Sequence, residues 1–572
     1  MREATFFPCA AKHCGKNGKY SCSNCKLVSY CDRSCQVAHW SEHKQICKSV
    51  LMSAQWRPGW EQEGRAPSFA TPQAASNPHN PFGNGRYLWG NVPAVDVLHM
   101  PGNEGHHYSG DIAVLFAASG DLRNVVQTIS QLPDTFAQRL EITLNDREFH
   151  VVARNAILLL FCLTGSGQMS TGSRHDVSDI ESLIHLWYSA SLTDRILSQL
   201  AQRVKPLFAD VCEGISAEPA GHIVEKTWLF SHEKSLRLAL KKEDWFQLKA
   251  LCEIPPDLAR QEALDLRTAI TLAPERRDYR DRWYYKDATP SIRVSKQRFR
   301  EDGLLLPFGH SRDGFDIPNP TFYLSPYRWP MDDKADPLDG WPLLDVLRIQ
   351  AGAKEDLYGK LYLYLQHRFK QFLDRLATAK VDFELLHMDA MKLPEILEKG
   401  KYARIEVSNI TDAGYLGTRE TLCLLSPLLQ PPRENFHATI ISTYLNAVME
   451  MVKRGNEKDQ TPNIQLLMEY FPHLDILSLL QPESADSLKF WDARTIVLDR
   501  HDFFQRYTKF FQFNRICKDL HLAMKKHNTI VEAWPTMPKL SPEHKEAQHE
   551  FEALLGSNYT SVERFVEWKR MR

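Results

Sequence analysis

Seven cysteines and one histidine stand at metal-ligand spacings within residues 9–47: Cys9, Cys14, Cys22, Cys25, Cys31, Cys35, His43 and Cys47. Thiolate and imidazole are donors that zinc prefers, and eight of them divide evenly into two tetrahedral sets. A segment this short buries too little apolar surface to fold unaided, so two zinc ions would supply the missing folding free energy. The chemistry is structural, because two fully protein-ligated ions leave no coordination position for water or substrate.

The pairing has two solutions. Cross-bracing puts Cys9, Cys14, Cys31 and Cys35 on one ion and Cys22, Cys25, His43 and Cys47 on the other, which locks the two sites together. Consecutive pairing uses the same eight residues, and spacing alone does not exclude it. His13 and His39 are further imidazoles nearby, and His39 follows Cys35 at ligand spacing. His43 is the expected ligand because it stands one helical turn before Cys47, so that both face one ion. The finger also carries Lys12, Lys16, Lys19, Lys26, Arg33, Lys44 and Lys48. These read as a solvated face rather than a nucleic-acid surface.

The ligand string, together with Tyr30, Gln36 and Trp40, resembles the MYND-type zinc finger. It departs from that pattern in having four residues between Cys9 and Cys14. The resemblance implies a module that binds short proline-containing peptides of partner proteins, with Gln36 and Trp40 lining the groove.

The remaining residues must position this finger or act beside it. The chain has 572 residues, and 70 Lys plus Arg stand against 71 Asp plus Glu. A net charge of −1 offers no global field for nucleic acid or an anionic membrane. The five cysteines outside the finger, Cys162, Cys212, Cys252, Cys423 and Cys517, are scattered, which argues against a disulfide framework. The longest apolar runs, such as residues 156–163, fall short of a bilayer span, and the N-terminus shows no signal peptide. A cytoplasmic or nuclear protein with no membrane association is expected.

Residues 51–90 contain Pro58, Pro67, Pro72, Pro78 and Pro81 without a regular apolar period, and read as a linker. Its aromatics Trp56, Trp60 and Phe69 are candidates for docking on a neighbour. Residues 111–129 then give an apolar strand, small residues ending in Gly120, Asp121 and an amphipathic helix. In α/β proteins such a turn exposes backbone N–H groups where ligands bind. The strand-like residues 140–146 end in Asp146, placed where a nucleoside-binding fold sets a carboxylate on ribose hydroxyls. The alternative account of Asp146 is a turn or N-cap residue, which Asn-Asp commonly marks.

Helix is expected over residues 151–163, 179–188, 192–211, 228–251 and 357–379. The paired aspartates Asp332 and Asp333 read as turn residues beside proline and glycine, and the Arg-rich residues 276–282 as a solvated stretch rather than an RNA contact. Strand and helix alternation returns over residues 381–444, with Asp389 in an acidic turn. Residues 463–480, 499–524 and 543–555 are again helical, with a core aromatic stripe at Phe503, Phe504, Tyr507, Phe510, Phe511 and Phe513. The organisation so read is a finger (1–50), a linker (51–90), a first α/β half (91–164), a helical insertion (165–375), a second α/β half (376–450) and a helical C-terminal region (451–572).

In order and character the α/β pieces resemble the successive motifs of class I S-adenosylmethionine-dependent methyltransferases, a Rossmann-like fold. That resemblance puts Gly120 and Asp121 at the first motif, Asp146 at the ribose position and Asp389 on the adenine side, with the usual glycine-rich loop reduced to Ala117, Ala118, Ser119 and Gly120. The phrases at residues 92–98, 120–124, 144–147, 153–155 and 186–188 look like an uncharacterised domain that accompanies MYND fingers in fungal proteins. That domain is also similar to the N-terminal part of the dynein axonemal assembly factor 3 family. It implies an architecture and no activity. The preferred function is a non-enzymatic adaptor with no catalytic residues, and the alternatives are a methyltransferase or a transcriptional regulator.

Overall fold

The computed structural model describes residues 7–70, 81–165, 177–231, 233–455, 464–471 and 476–571. Two short strands, β1 (Tyr20–Ser21) and β2 (Ser29–Tyr30), and helix α1 (Arg33–Cys47) form the finger. The body is built on β3 (Ile112–Phe116), β4 (Arg139–Asp146), β6 (Ile223–Phe230), β7 (Lys234–Lys241), β9 (Lys380–His387), β10 (Arg404–Glu406), β11 (Thr439–Tyr444), β12 (Leu522–Met524) and β13 (Arg564–Arg570). These nine strands make one sheet in the order β12-β13-β11-β10-β3-β4-β9-β7-β6. β5 (Ser191–Leu192) and β8 (Ile317–Pro318) pair separately.

The six strands from β11 to β7 are mutually parallel. A parallel sheet made of crossover units is covered on both faces, and its strands are apolar throughout. β3 shows this directly. All five of its residues are buried, with Ile112, Val114 and Phe116 in one core and Ala113 and Leu115 in the other. The alternation is the period-two geometry of a strand. Helix α2 (Phe149–Gly165) is buried along nearly its whole length in the first core. Its one guanidinium, Arg154, donates to the carbonyls of Trp187 (2.7 Å) and Leu186 (3.4 Å) and to the Thr321 hydroxyl.

Several sequence expectations need correction. The stretch 165–375 is not all helical, because β6 and β7 form a hairpin that extends the main sheet where a helix was expected over residues 228–251. Leu236, Leu238 and Leu240 are buried in strict alternation with partly exposed residues, and Glu233 takes the positive φ of the turn; the helix begins only at Lys242. Strand period two and helical steps of three to four both fit a leucine-rich segment of this length, and pairing with β9 decides between them.

Nor is the C-terminal region wholly helical, since β13 runs antiparallel between β11 and β12 and so completes the sheet. The helix expected over 499–524 is two helices, Arg500–Phe510 and Phe513–Leu520, followed by β12. Residues 463 and 472–475 of the helix expected over 463–480 lie outside the described residues, as do residues 71–80 of the linker. The rest of that linker is not free chain. Trp60 and Phe69 are buried against Tyr279, and Arg65 holds Asp278 through two hydrogen bonds of 2.6 and 2.8 Å.

β13 is fastened through Glu567, which is fully buried. Its carboxylate accepts from Lys525 Nζ at 2.8 Å and from the N–H groups of Thr529, Ile530 and Val531 at 3.0, 2.8 and 3.0 Å. Burial alone would raise its pKa, but Lys525 and these N–H groups outweigh it and hold the carboxyl below its ordinary value. Glu567→Gln should therefore cost about 3 kcal/mol at neutral pH, seen as a lower urea midpoint, because a buried lysine loses its counter-charge. A depressed native pKa contributes stability that is lost as pH falls, so the gap to the unsubstituted chain should narrow as pH drops through the native carboxylate's titration.

Candidate functional site

In the finger, Cys22 and Cys25 bracket a tight turn. The Cys22 N–H donates to Val28 O at 2.9 Å, the Lys26 N–H to Cys22 O at 3.0 Å, and Lys26 takes a positive φ of 53°. Backbone N–H groups then point at sulfur: Leu27 at Cys25 Sγ (3.5 Å) and Cys31 at Cys9 Sγ (3.4 Å), while Asn24 Nδ2 reaches Cys47 Sγ at 3.1 Å. Such donors steady a thiolate and orient it toward an ion.

Helix α1 serves both sites. Asp32 caps it by accepting from the Cys35 N–H at 2.9 Å, and the hydrogen bonds from Ser34 and Cys35 hold that carboxyl below the usual range. Its first turn delivers Cys35 to one cluster and its last two turns deliver His43 and Cys47, both buried, to the other. The clusters are Cys9, Cys14, Cys31, Cys35 and Cys22, Cys25, His43, Cys47, each with its four donor atoms within 4.8 Å of one another. The cross-braced pairing is the one the fold adopts.

The donor spacing fits zinc. Four sulfurs tetrahedral about an ion at about 2.3 Å would lie about 3.8 Å apart. Here Cys14 and Cys31 are 3.5 Å apart, Cys31 and Cys35 3.5 Å, Cys14 and Cys35 3.6 Å, and Cys22 and Cys47 3.8 Å. Cys25 Sγ is 3.4 Å from His43 Nε2, the nitrogen that would bind the ion. These separations are far beyond a disulfide bond of about 2.05 Å. His39 is not a ligand. Its Nδ1 lies 3.1 Å from the Tyr30 hydroxyl and its ring stacks on His43, so it buttresses the second site.

The finger sits on the body rather than swinging from it. The Ser291 hydroxyl donates to Cys25 O at 2.6 Å, Ser21 Oγ to Gly352 O at 2.5 Å, and the Glu355 N–H to Lys26 O at 3.1 Å. Val294 and Phe308 join the finger's small apolar core, and Arg293 holds the carbonyls of Leu51 and Ser53 at 3.1 and 2.8 Å. Along α1, Trp40 is 41% exposed with its ring edge-on to His43, and Val37 is 67% exposed.

The second candidate site lies at the carboxyl edge of the sheet. Gly120 has a φ of 54°, and its N–H donates to Asp146 Oδ2 at 3.0 Å. Asp146 also accepts from the Glu148 N–H at 3.0 Å, and burial raises its pKa. Asp121 is buried and accepts from the Gly90 N–H at 2.9 Å and from Arg123 Nη1 at 2.6 Å. Asp389 is exposed and caps a short turn through the Met391 N–H at 2.9 Å. The register Asp146↔His387 sets Asp389 near Asp146. Sequence reasoning missed Glu406, the last residue of β10, which is buried beside the loop with its carboxyl pushed up to about 7 by burial. A charged residue inside the apolar run 405–407 was the available signal. At the carboxyl ends of β10 and β11 a cavity of about 20 Å³, enough for one water, is lined by Glu406, Ser408, Thr443, Arg123 and Asn124.

Comparison with known families separates these two sites. Residues 9–47 match the MYND finger. The eight ligands lie within that match, and MYND fingers are zinc modules that mediate protein interactions. Behind the MYND finger, residues 88–192 match a domain of unknown function, DUF4470, which spans β3, β4 and α2. No solved structure matches the chain. Among the described residues no helix is long and apolar enough to cross a membrane.

Zinc analysis of the purified MYND-finger protein should give two ions per chain, and His43→Ala should reduce this to one or fewer, since three thiolates then remain in that cluster. Chelation should release both ions and lower the thermal midpoint of the whole chain, because the finger's apolar face is packed on the body.

Proposed function

We propose that the protein is a non-enzymatic adaptor of cytosol or nucleus, in which the MYND finger recruits proline-containing segments of partner proteins and the α/β body supplies a second binding surface. The observation that carries this reading is the division of labour on α1. The helix spends Cys35, His43 and Cys47 on the two clusters, while Trp40, whose ring lies edge-on to His43 at 5.9 Å, and Val37 stay exposed with Gln36 half-buried beside them. An exposed indole beside an amide suits a proline-containing peptide, since aromatic faces accept the preformed polyproline helix and the amide reaches its carbonyls. Docking of the finger on the body gives such a peptide a fixed bearing relative to the sheet. In fluorescence anisotropy with a panel of labelled proline-containing peptides, Trp40→Ala should weaken binding at least tenfold while zinc stays at two per chain. Equal binding by the variant would sink the adaptor reading.

A second reading, methyl transfer from S-adenosylmethionine on a Rossmann-like sheet, is favoured by one observation. The order β9-β4-β3-β10-β11 reverses direction between β3 and β10, the switch point at which doubly wound sheets bind nucleotides. Against it, Asp121 and Asp146 are engaged by the chain's own N–H groups. Calorimetric titration with S-adenosylmethionine to millimolar concentration should give no saturable heat; a saturable isotherm weakened by Asp146→Asn would reverse this ranking.

A further inference from the structure

A cavity of about 170 Å³ opens to solvent between helix α3 (Pro290–Asp302), the turn Pro337–Gly340, helix α4 (Leu357–Thr378) and the helix Ala547–Gly556. Its walls are mostly apolar, with Ile292, Leu338, Leu343, Leu347 and Ala553 among them. That volume corresponds to on the order of ten water-sized positions, enough for a ligand of several heavy atoms.

Charged groups of both signs also line it, and two carboxyls, Asp336 and Asp339, lie side by side at the turn. Asp339 is only 9% exposed. Its Oδ2 accepts from Asn558 Nδ2 at 2.8 Å, and its Oδ1 has no hydrogen-bond partner among the described residues. Asp336 next to it accepts from the Tyr358 hydroxyl at 2.7 Å and from the Leu338 N–H at 2.9 Å. Among the described residues no cation pairs with either carboxyl. Three lysines line the same cavity: Lys296 is committed to Asp287 at 2.6 Å and to Gly556 O at 2.7 Å, Lys360 donates to Leu347 O at 3.0 Å, and Lys354 is exposed. A mostly apolar pocket that ends in a buried carboxyl with a free oxygen and no cation paired to it is complementary to a molecule that brings both a hydrocarbon body and a positive donor.

We propose that this cavity is a binding site for small amphipathic amines, the ammonium seated on Asp339 and the hydrocarbon lying against Leu338, Leu343 and Leu347. Burial first, and the Asp336 charge second, raise the Asp339 carboxyl well above its ordinary pKa in the empty site. A bound ammonium supplies the charge that the pair lacks, so amines are selected over alcohols and acids of the same length.

The test uses the zinc-loaded full chain and three probes of matched size: n-hexylamine, n-hexanol and hexanoate, each titrated by ligand-observed NMR. Hexylamine should bind saturably with a Kd at or below about 1 mM, and hexanol and hexanoate at least tenfold more weakly. Asp339→Asn should weaken hexylamine at least tenfold, whereas Asp345→Asn, an exposed carboxylate paired with Arg348 nearby, should leave it unchanged. Ala553→Phe, which fills the cavity, should abolish binding and carries the test if Asp339→Asn does not fold. Hexanol binding as tightly as hexylamine, hexylamine binding that survives Asp339→Asn or Ala553→Phe, or no saturable binding of hexylamine would each overturn the proposal.

Discussion

A parallel sheet with polar peptide edges and apolar side chains on both faces has to be covered twice, and that requirement shapes most of this chain. β3 contributes neighbouring residues to two separate cores, so the layers on either side cannot be dispensed with. One is built from α2, α4 and the segment around Trp187; the other draws on residues as distant as Phe504, Tyr507 and Trp568. The C-terminal strand therefore belongs to the same folding unit as residues 112–116. Long-range closure of this kind carries a large loop entropy, which the two apolar cores have to offset.

The finger obeys a different constraint. Its core is small, and most of its buried residues are ligands or their immediate neighbours, so coordination bonds replace apolar area. Because α1 contributes to both clusters, neither site can be assembled alone without placing donors for the other. The contacts at Ser291, Glu355 and Phe308 then join this metal-dependent unit to the sheet-dependent one. A module that presents a peptide-binding face gains from such rigidity, since ordering it at the moment of binding would consume part of the affinity.

The metal chemistry was legible because ligand type and spacing are written in the residues themselves; only the pairing needed coordinates, and the Sγ separations supply it. The strands at β3, β4, β9 and β11 were also legible from apolar runs bounded by turn residues. What failed were assignments in which two periodicities compete, as at Leu236, Leu238 and Leu240, or in which a strand is defined by its partner, as β13 is by β11. The engagement of Asp121 by the Gly90 N–H, over a separation of 31 residues, has no local signature at all. Nor does the cavity at Asp339, which exists only because four distant elements meet around it.

The docking of the finger on residues 291–355 has a consequence for synthesis. At about 5–20 residues per second, the roughly 300 residues that separate Cys47 from Glu355 take about 15–60 s to follow the finger out of the ribosome. During that interval the eight donors are free to capture zinc while the surface that will hold them does not yet exist. The nascent chain can therefore be metallated early, and the body condenses later against a finger already closed. A cell short of zinc would release chains whose body lacks this preformed buttress, with Val294 and Phe308 left open to chaperones and proteases.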